Sequence, residues 1–181
     1  MVARIAVIGQ SGLIPPELRE TAYQVGRAIA RRGGLLFCGG RDGVMEAACS
    51  GAKAAGGTTV GILPGDDLGG ANAFVDIPVT TGQTMEARSL VLIHSSDAVI
   101  MLGGGNGTLG ELSAAYMYGK PVVVLPFTGG WSARIREIAY EGKYLDHRKN
   151  VEILYAGDPE TAVAQAFERI HLARGASRSP E

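Results

Sequence analysis

Cysteine, histidine, tryptophan and net charge are all scarce in this chain of 181 residues, and each shortage removes a class of function. The two cysteines, Cys38 and Cys49, form no C-x-x-C pair, so they offer neither a disulfide framework nor a thiolate zinc site. They read as buried apolar thiols in a reducing compartment. His94, His147 and His171 are scattered without ligand spacing, and no metal is expected. The 17 basic and 18 acidic side chains nearly cancel, and the aromatics, at 6%, are not interleaved with Lys or Arg. Bulk charge and base stacking are the usual handles on nucleic acid, and both are missing. A strand pattern begins at Arg4, leaving no room for a signal peptide, and no apolar run reaches the roughly 18 residues of a membrane span. A cytoplasmic protein with no membrane partner is expected.

Glycine and short aliphatic runs are what the chain has in quantity. Strand patterns fall at Arg4 to Ile8, Leu35 to Cys38, Thr58 to Leu63, Phe74 to Val79, Ala98 to Leu102, Pro121 to Leu125 and Val151 to Leu154. Helical patterns alternate with them at Glu17 to Arg32, Gly43 to Ala55, Thr84 to Ser95, Thr108 to Tyr118, Ser132 to Gly142 and Pro159 to Ala173. The strands are continuous Val/Ile/Leu runs rather than alternating ones, the pattern of strands covered on both faces. This spacing predicts an α/β fold, a doubly wound parallel sheet with helices on both faces. A single domain over 1–173 is expected, with residues 174–181 as a disordered tail.

In such sheets ligands lie beyond the carboxyl ends of the strands. Three glycine-rich loops follow strands directly: Gly9-Gln10-Ser11-Gly12, Gly39-Gly40-Arg41-Asp42-Gly43 and Gly103 to Gly107. The third is the most informative. A strand that turns through glycines into a helix leaves backbone amides free and aimed at one point, where the helix dipole adds positive charge. Gly105 to Gly110 has P-loop spacing, but Glu111-Leu112 stands where Lys and Ser/Thr are needed. No carboxylate closes the second strand, which argues against a dinucleotide. What remains is a phosphate-binding turn carrying an acid, Glu111. With the helix starting at Thr108, Glu111 lies in its first turn, where it either contacts a ligand or merely caps the helix. Arg88 likewise has two readings, a site residue or a surface partner of Glu86 or Glu17. Trp131, after Thr128-Gly-Gly, lines either a pocket mouth or an interface. Tyr116, Met117 and Tyr118 read as core or dimer contacts.

The blocks GGRDGVMEAACSGAKAAGGTTVGILP (Gly39 to Pro64) and MEARSLVLIHSSDAVIMLGGGNGTLGE (Met85 to Glu111) resemble the family long labelled lysine-decarboxylase-like. It includes the cytokinin-activating LONELY GUY phosphoribohydrolases and the molybdenum-cofactor carrier proteins. The second block resembles the family's P-G-G-x-G-T-x-x-E motif with its preceding M-H-x-R-K stretch. The resemblance implies a Rossmann-like fold, a nucleoside monophosphate or pterin phosphate as ligand, and a homodimer or homotetramer. It assigns the phosphate turn to Gly104, Gly105, Gly107 and Thr108 and the earlier glycine turn to Gly39, Gly40, Gly43 and Met45, to which the reading of the glycine loops adds Asn106, Gly9 and Ser11 as candidate phosphate- or cofactor-binding residues. Arg88 and Glu111 match the family's catalytic arginine and acid. Gly103 replaces the motif proline, Glu86 the histidine and Ser89 the lysine, which brings the chain closer to the carriers than to the hydrolases. As a carrier it would hold molybdenum cofactor by its phosphate without chemistry. As a hydrolase it would need no cofactor: Glu111 would stabilise oxocarbenium character, with Arg88 fixing the carboxylate through a charge-assisted pair. The decarboxylase label itself finds no support, because no lysine lies in the glycine turns to hold pyridoxal phosphate.

Overall fold

The aliphatic runs pair into one seven-stranded, all-parallel sheet in the computed structural model, which describes residues 1–176. The strands are β1 (Arg4–Gly9), β2 (Leu35–Cys38), β3 (Thr59–Leu63), β4 (Ile77–Thr80), β5 (Ala98–Leu102), β6 (Val122–Leu125) and β7 (Ile153–Tyr155). Their spatial order is β4-β3-β2-β1-β5-β6-β7. The connecting helices are α1 (Pro16–Arg31), α2 (Val44–Ala54), α3 (Met85–Ser95), α4 (Asn106–Met117), α5 (Gly130–Ile138) and α6 (Pro159–Ala176).

Strand periodicity decides which helix lies on which face. Ile5, Val7, Ile100 and Leu102 point to one side and pack under α1, α2 and α6. Ala6, Ile8, Val99 and Met101 point to the other and pack under α3, α4 and α5. The expected doubly wound, Rossmann-like architecture is therefore present. Winding reverses between β1 and β5, which pair from Ile5↔Ala98 to Gly9↔Leu102. The crevice beyond their carboxyl ends is the switch point of the sheet.

On the first face, α1 and α2 touch backbone to backbone. A Cβ on Gly26 would lie 1.9 Å from the Ala48 carbonyl oxygen, and one on Gly51 would lie 1.9 Å from that of Tyr23. The loops above these helices are also joined. The Val44 amide donates to the Gln10 carbonyl at 2.9 Å, and the Gly12 amide donates to Asp42 Oδ1 at 2.9 Å.

Some boundaries differ from the sequence reading. The fourth strand is Ile77–Thr80 rather than Phe74 to Val79, an exposed edge strand on which Pro78 is tolerated. Asp76, just ahead of it, accepts from the Thr59 amide at 2.9 Å, which fixes the strand entry. α5 starts at Gly130 and stops at Ile138, because a turn closed by the Tyr140↔Tyr144 bridge replaces its expected last residues. α6 runs on to Ala176, and Arg174, expected in the tail, donates to Asp97 at 2.9 Å and to the Val2 carbonyl at 3.1 Å. Residues 177–181 of the expected tail lie outside the described residues.

Candidate functional site

At the switch point lies a cleft of about 440 Å³. Gly9 at the end of β1 with Gln10 and Ser11 after it, Gly39 and Arg41 after β2, and Met45 of α2 form one wall. Met85, Arg88 and Ser89 of α3, with Gly105, Asn106, Gly107, Thr108 and Glu111 of the β5–α4 turn and helix, form the other. The expected site residues Gly9, Ser11, Gly39, Met45, Arg88, Gly105, Asn106, Gly107, Thr108 and Glu111 are thus brought together. Gly40, Gly43 and Gly104 do not line this cleft. Gly40 and Gly43 take positive φ to shape the turn beneath it, and Gly104 faces a neighbouring hollow beside Trp131 and Arg134.

The β5–α4 turn owes its shape to glycine. Gly103 and Gly104 have φ of +58° and +96°, and a Cβ on Gly104 would lie 2.5 Å from Thr108 Cγ2. Such a backbone suits glycine alone. Gly105 is extended and serves as N-cap of α4 without a side chain to satisfy the helix amides. Among the described residues, the amides of Gly104 to Thr108 donate to no protein acceptor, and the helix proper begins bonding with Leu109 to Gly105 at 3.1 Å. Free amides and a helix N-terminus converge on the cleft, a combination that suits an anion.

Because α4 starts at Asn106, two residues earlier than the sequence suggested, Glu111 sits in its second turn. It therefore does not cap the helix. Its carboxylate accepts instead from Ser89 Oγ at 2.9 Å. Burial pushes the Glu111 pKa up, opposed by that hydrogen bond and by the field of Arg88. Ser89 entered the sequence reading only as a departure from the motif; its contact depends on the crossing of α3 over α4, which no local pattern encodes.

Arg88 is not on the surface. It is 4% exposed and pairs with neither Glu86 nor Glu17. Its guanidinium also lies outside salt-bridge contact with Glu111, so the expected charge-assisted pair is absent among the described residues. One nitrogen, Nη2, donates to Met85 Sδ at 2.9 Å, while Nε and Nη1 are buried without a partner. Gly39 makes room for this group: a Cβ there would lie 2.2 Å from Arg88 Nη1. Burial lowers the Arg88 pKa, and Arg41 lowers it further, against the fields of Glu111 and Cys38. Arg41 and Arg88 add positive charge to the cleft onto which the glycine turn opens.

Elsewhere, Cys38 and Cys49 are buried and free, as expected, with Sγ atoms 3.5 Å apart. Among the described residues, no group of His, Cys, Asp and Glu could hold a metal, and no helix is long and apolar enough to cross a membrane. Tyr116 is buried, whereas Met117 and Tyr118 are exposed.

Fold and cleft together define a Rossmann-like protein with free amides and two arginines around a cleft at its switch point. The chain belongs to the SLOG cluster4 family, whose model matches residues 2–163. It is 38% identical to a cytokinin riboside 5'-monophosphate phosphoribohydrolase of Mycobacterium marinum, over 76% of this chain and 80% of that one. It is 46% identical to an uncharacterized protein of Archaeoglobus fulgidus, over 67% of this chain and 79% of that one. Among solved structures, the molybdenum cofactor binding protein of Rippkaea orientalis superposes with a TM-score of 0.80 at 34% identity, covering 94% of this chain and 98% of that one. Within the family, the chain stands close to the molybdenum-cofactor carriers.

Proposed function

We propose that the chain binds a phosphorylated small molecule in the switch-point cleft and carries it unchanged, with molybdenum cofactor as the favoured cargo. The observation that carries this reading is the row of unpartnered amides from Gly104 to Thr108 at the head of α4. A phosphate would accept from those amides and from Thr108 Oγ, at the positive end of the helix dipole. The buried, unpartnered nitrogens of Arg88 would serve a second polar or anionic part of the same ligand. Gly9, Ser11, Gly39 and Met45 shape the wall opposite, with Gly40 and Gly43 beneath it.

The hydrolase reading has its own support in the named relative and in Glu111, whose raised pKa suits a carboxylic acid that protonates a leaving base. Two features favour carriage over cleavage. Ser89 replaces a motif lysine, and Arg88 does not grip the carboxylate.

Incubation with AMP and an N6-modified adenosine monophosphate, followed by chromatography for free base, separates the readings. No release, together with phosphate-dependent heat in calorimetry, is expected and supports carriage. Base release lost in Glu111→Gln would establish phosphoribohydrolase activity instead. We further propose that the protein works in the cytoplasm as a homodimer or homotetramer. Its α3–α4 face exposes Leu90, Val91, Met117 and Tyr118, apolar side chains that a second copy would cover. Sedimentation of a monomer would overturn that assembly.

A further inference from the structure

The segment Thr128-Gly-Gly-Trp-Ser132, at the head of α5, stands outside the cleft and is untouched by the reading above. It nevertheless holds the glycine turn from behind. Thr128 Oγ accepts from the Gly103 amide at 2.8 Å. The Ser132 amide and Ser132 Oγ both donate to the Gly103 carbonyl at 3.0 Å. The Trp131 amide donates to the Gly104 carbonyl at 3.0 Å. Ser132 is fully buried, so its own two bonds do not compete with water. The fit is close: a Cβ on Gly130 would lie 2.5 Å from the Gly104 oxygen.

A trans peptide points its N–H opposite to its C=O. Both carbonyls, of Gly103 and Gly104, are turned into the α5 N-terminus. The amides that share those peptide planes belong to Gly104 and Gly105, and they are directed the other way. They are also the first two of the unpartnered row. We propose, resting on the anion-binding reading of the cleft, that Ser132 at the head of α5 is a positioning residue that sets the polarity of the phosphate turn. With the carbonyls released, either peptide plane could rotate and present oxygen to the anion. Glycine, with its wide conformational range, makes that flip inexpensive unless something opposes it. The head of α5 opposes it, and places a second helix N-terminus behind the same site.

The test uses inorganic phosphate as probe and the full chain. In calorimetry, Ser132→Ala is expected to bind phosphate about fivefold more weakly, one lost hydrogen bond of about 1 kcal/mol. Ser132→Thr, which keeps the hydroxyl, is expected to restore binding. In ¹⁵N-labelled wild-type protein, phosphate should shift the Gly104 and Gly105 amide resonances. That measurement holds even if Ser132→Ala fails to fold. Ser132→Ala binding as tightly as wild type while melting earlier would assign the serine a structural role only and overturn the proposal. So would phosphate shifts that spare Gly104 and Gly105. Wild-type protein that binds no phosphate would overturn the anion-binding reading and the positioning role together.

Discussion

Arg88→Met should make the free protein more stable and its ligand affinity worse. Met matches the length and flexibility of the arginine stem but removes the guanidinium. In the free protein Nε and Nη1 are buried without acceptors, and each such donor costs about 1–3 kcal/mol. Against this stand the contact with Met85 Sδ and the attraction of the Glu111 carboxylate, both of which the variant gives up. The attraction is partly recovered, because Glu111 without a cation nearby takes up a proton more readily. The balance is a gain of about 1–3 kcal/mol, which in a chain of this size raises the melting temperature by roughly 3–10 °C. Binding moves the other way. A hydrogen bond from a charged donor contributes about 1.5–3 kcal/mol, so losing one weakens affinity about 10- to 150-fold. Differential scanning calorimetry in phosphate-free buffer, paired with titration of AMP, reads both signs. An Arg88→Met protein that melts below wild type in the absence of ligand would refute the reasoning, since the arginine would then be a structural element rather than a binding group held at a cost.

Glu111→Gln tests the buried carboxyl. An acid whose pKa is raised in the fold stabilises it below the ordinary carboxylate range and loses that advantage as pH rises through the raised value. The melting temperature of the variant minus that of wild type should therefore be near zero at about pH 4 and positive at about pH 8; a difference that shrinks with pH would contradict the burial argument. Gly104→Ala must force a side chain onto φ of +96° and against Thr108. A loss of about 2–5 kcal/mol by urea unfolding is expected, with weaker phosphate binding. Gly26→Ala gains about 1 kcal/mol of helix propensity, but its methyl meets a carbonyl that cannot yield without parting α1 from α2. A net loss of about 2 kcal/mol, or roughly 4–8 °C, is expected in thermal unfolding, and a variant more stable than wild type would show that the helices are not locked.

The sheet was legible because burial on both faces demands unbroken aliphatic strands, and the runs ending at Gly9, Cys38, Leu63, Leu102 and Leu125 are such strands. Helix beginnings were harder where glycine supplies the cap. Asn106 and Gly107 read as loop because their intrinsic helix preference is poor, yet the turn geometry carries them into α4, and this moves Glu111 out of capping range. Arg88 was recognisable by motif, not by environment: nothing in its local sequence says that Gly39, far along the chain, leaves a space for its guanidinium. The glycines posed the same difficulty in reverse. Gly105 and Gly39 open onto the cleft, Gly40 and Gly43 shape the turn beneath it and Gly104 faces the hollow beside Trp131, a distinction that belongs to the assembled loops. Ser89 on Glu111, and Ser132 on Gly103, are contacts between elements and have no local signature.

The fastenings of the two cleft walls differ in a way that bears on motion. The β1 and β2 loops are tied to each other through Val44, Gln10, Gly12 and Asp42, and stand on helices that touch backbone to backbone. The glycine turn is tied to α5, and α3 to α4 through Ser89 and Glu111. Beyond the β1–β5 ladder itself, no hydrogen bond among the described residues joins the β1 and β2 loops to α3 or the glycine turn. The loops over the switch point therefore form two separately fastened blocks, with a seam between them above a sheet and core that are continuous. A ligand held by the amides of one block and the loops of the other would act as a rivet across that seam, so its arrival should register as slowed hydrogen exchange at the carboxyl ends of β1 and β5 rather than as a change of shape.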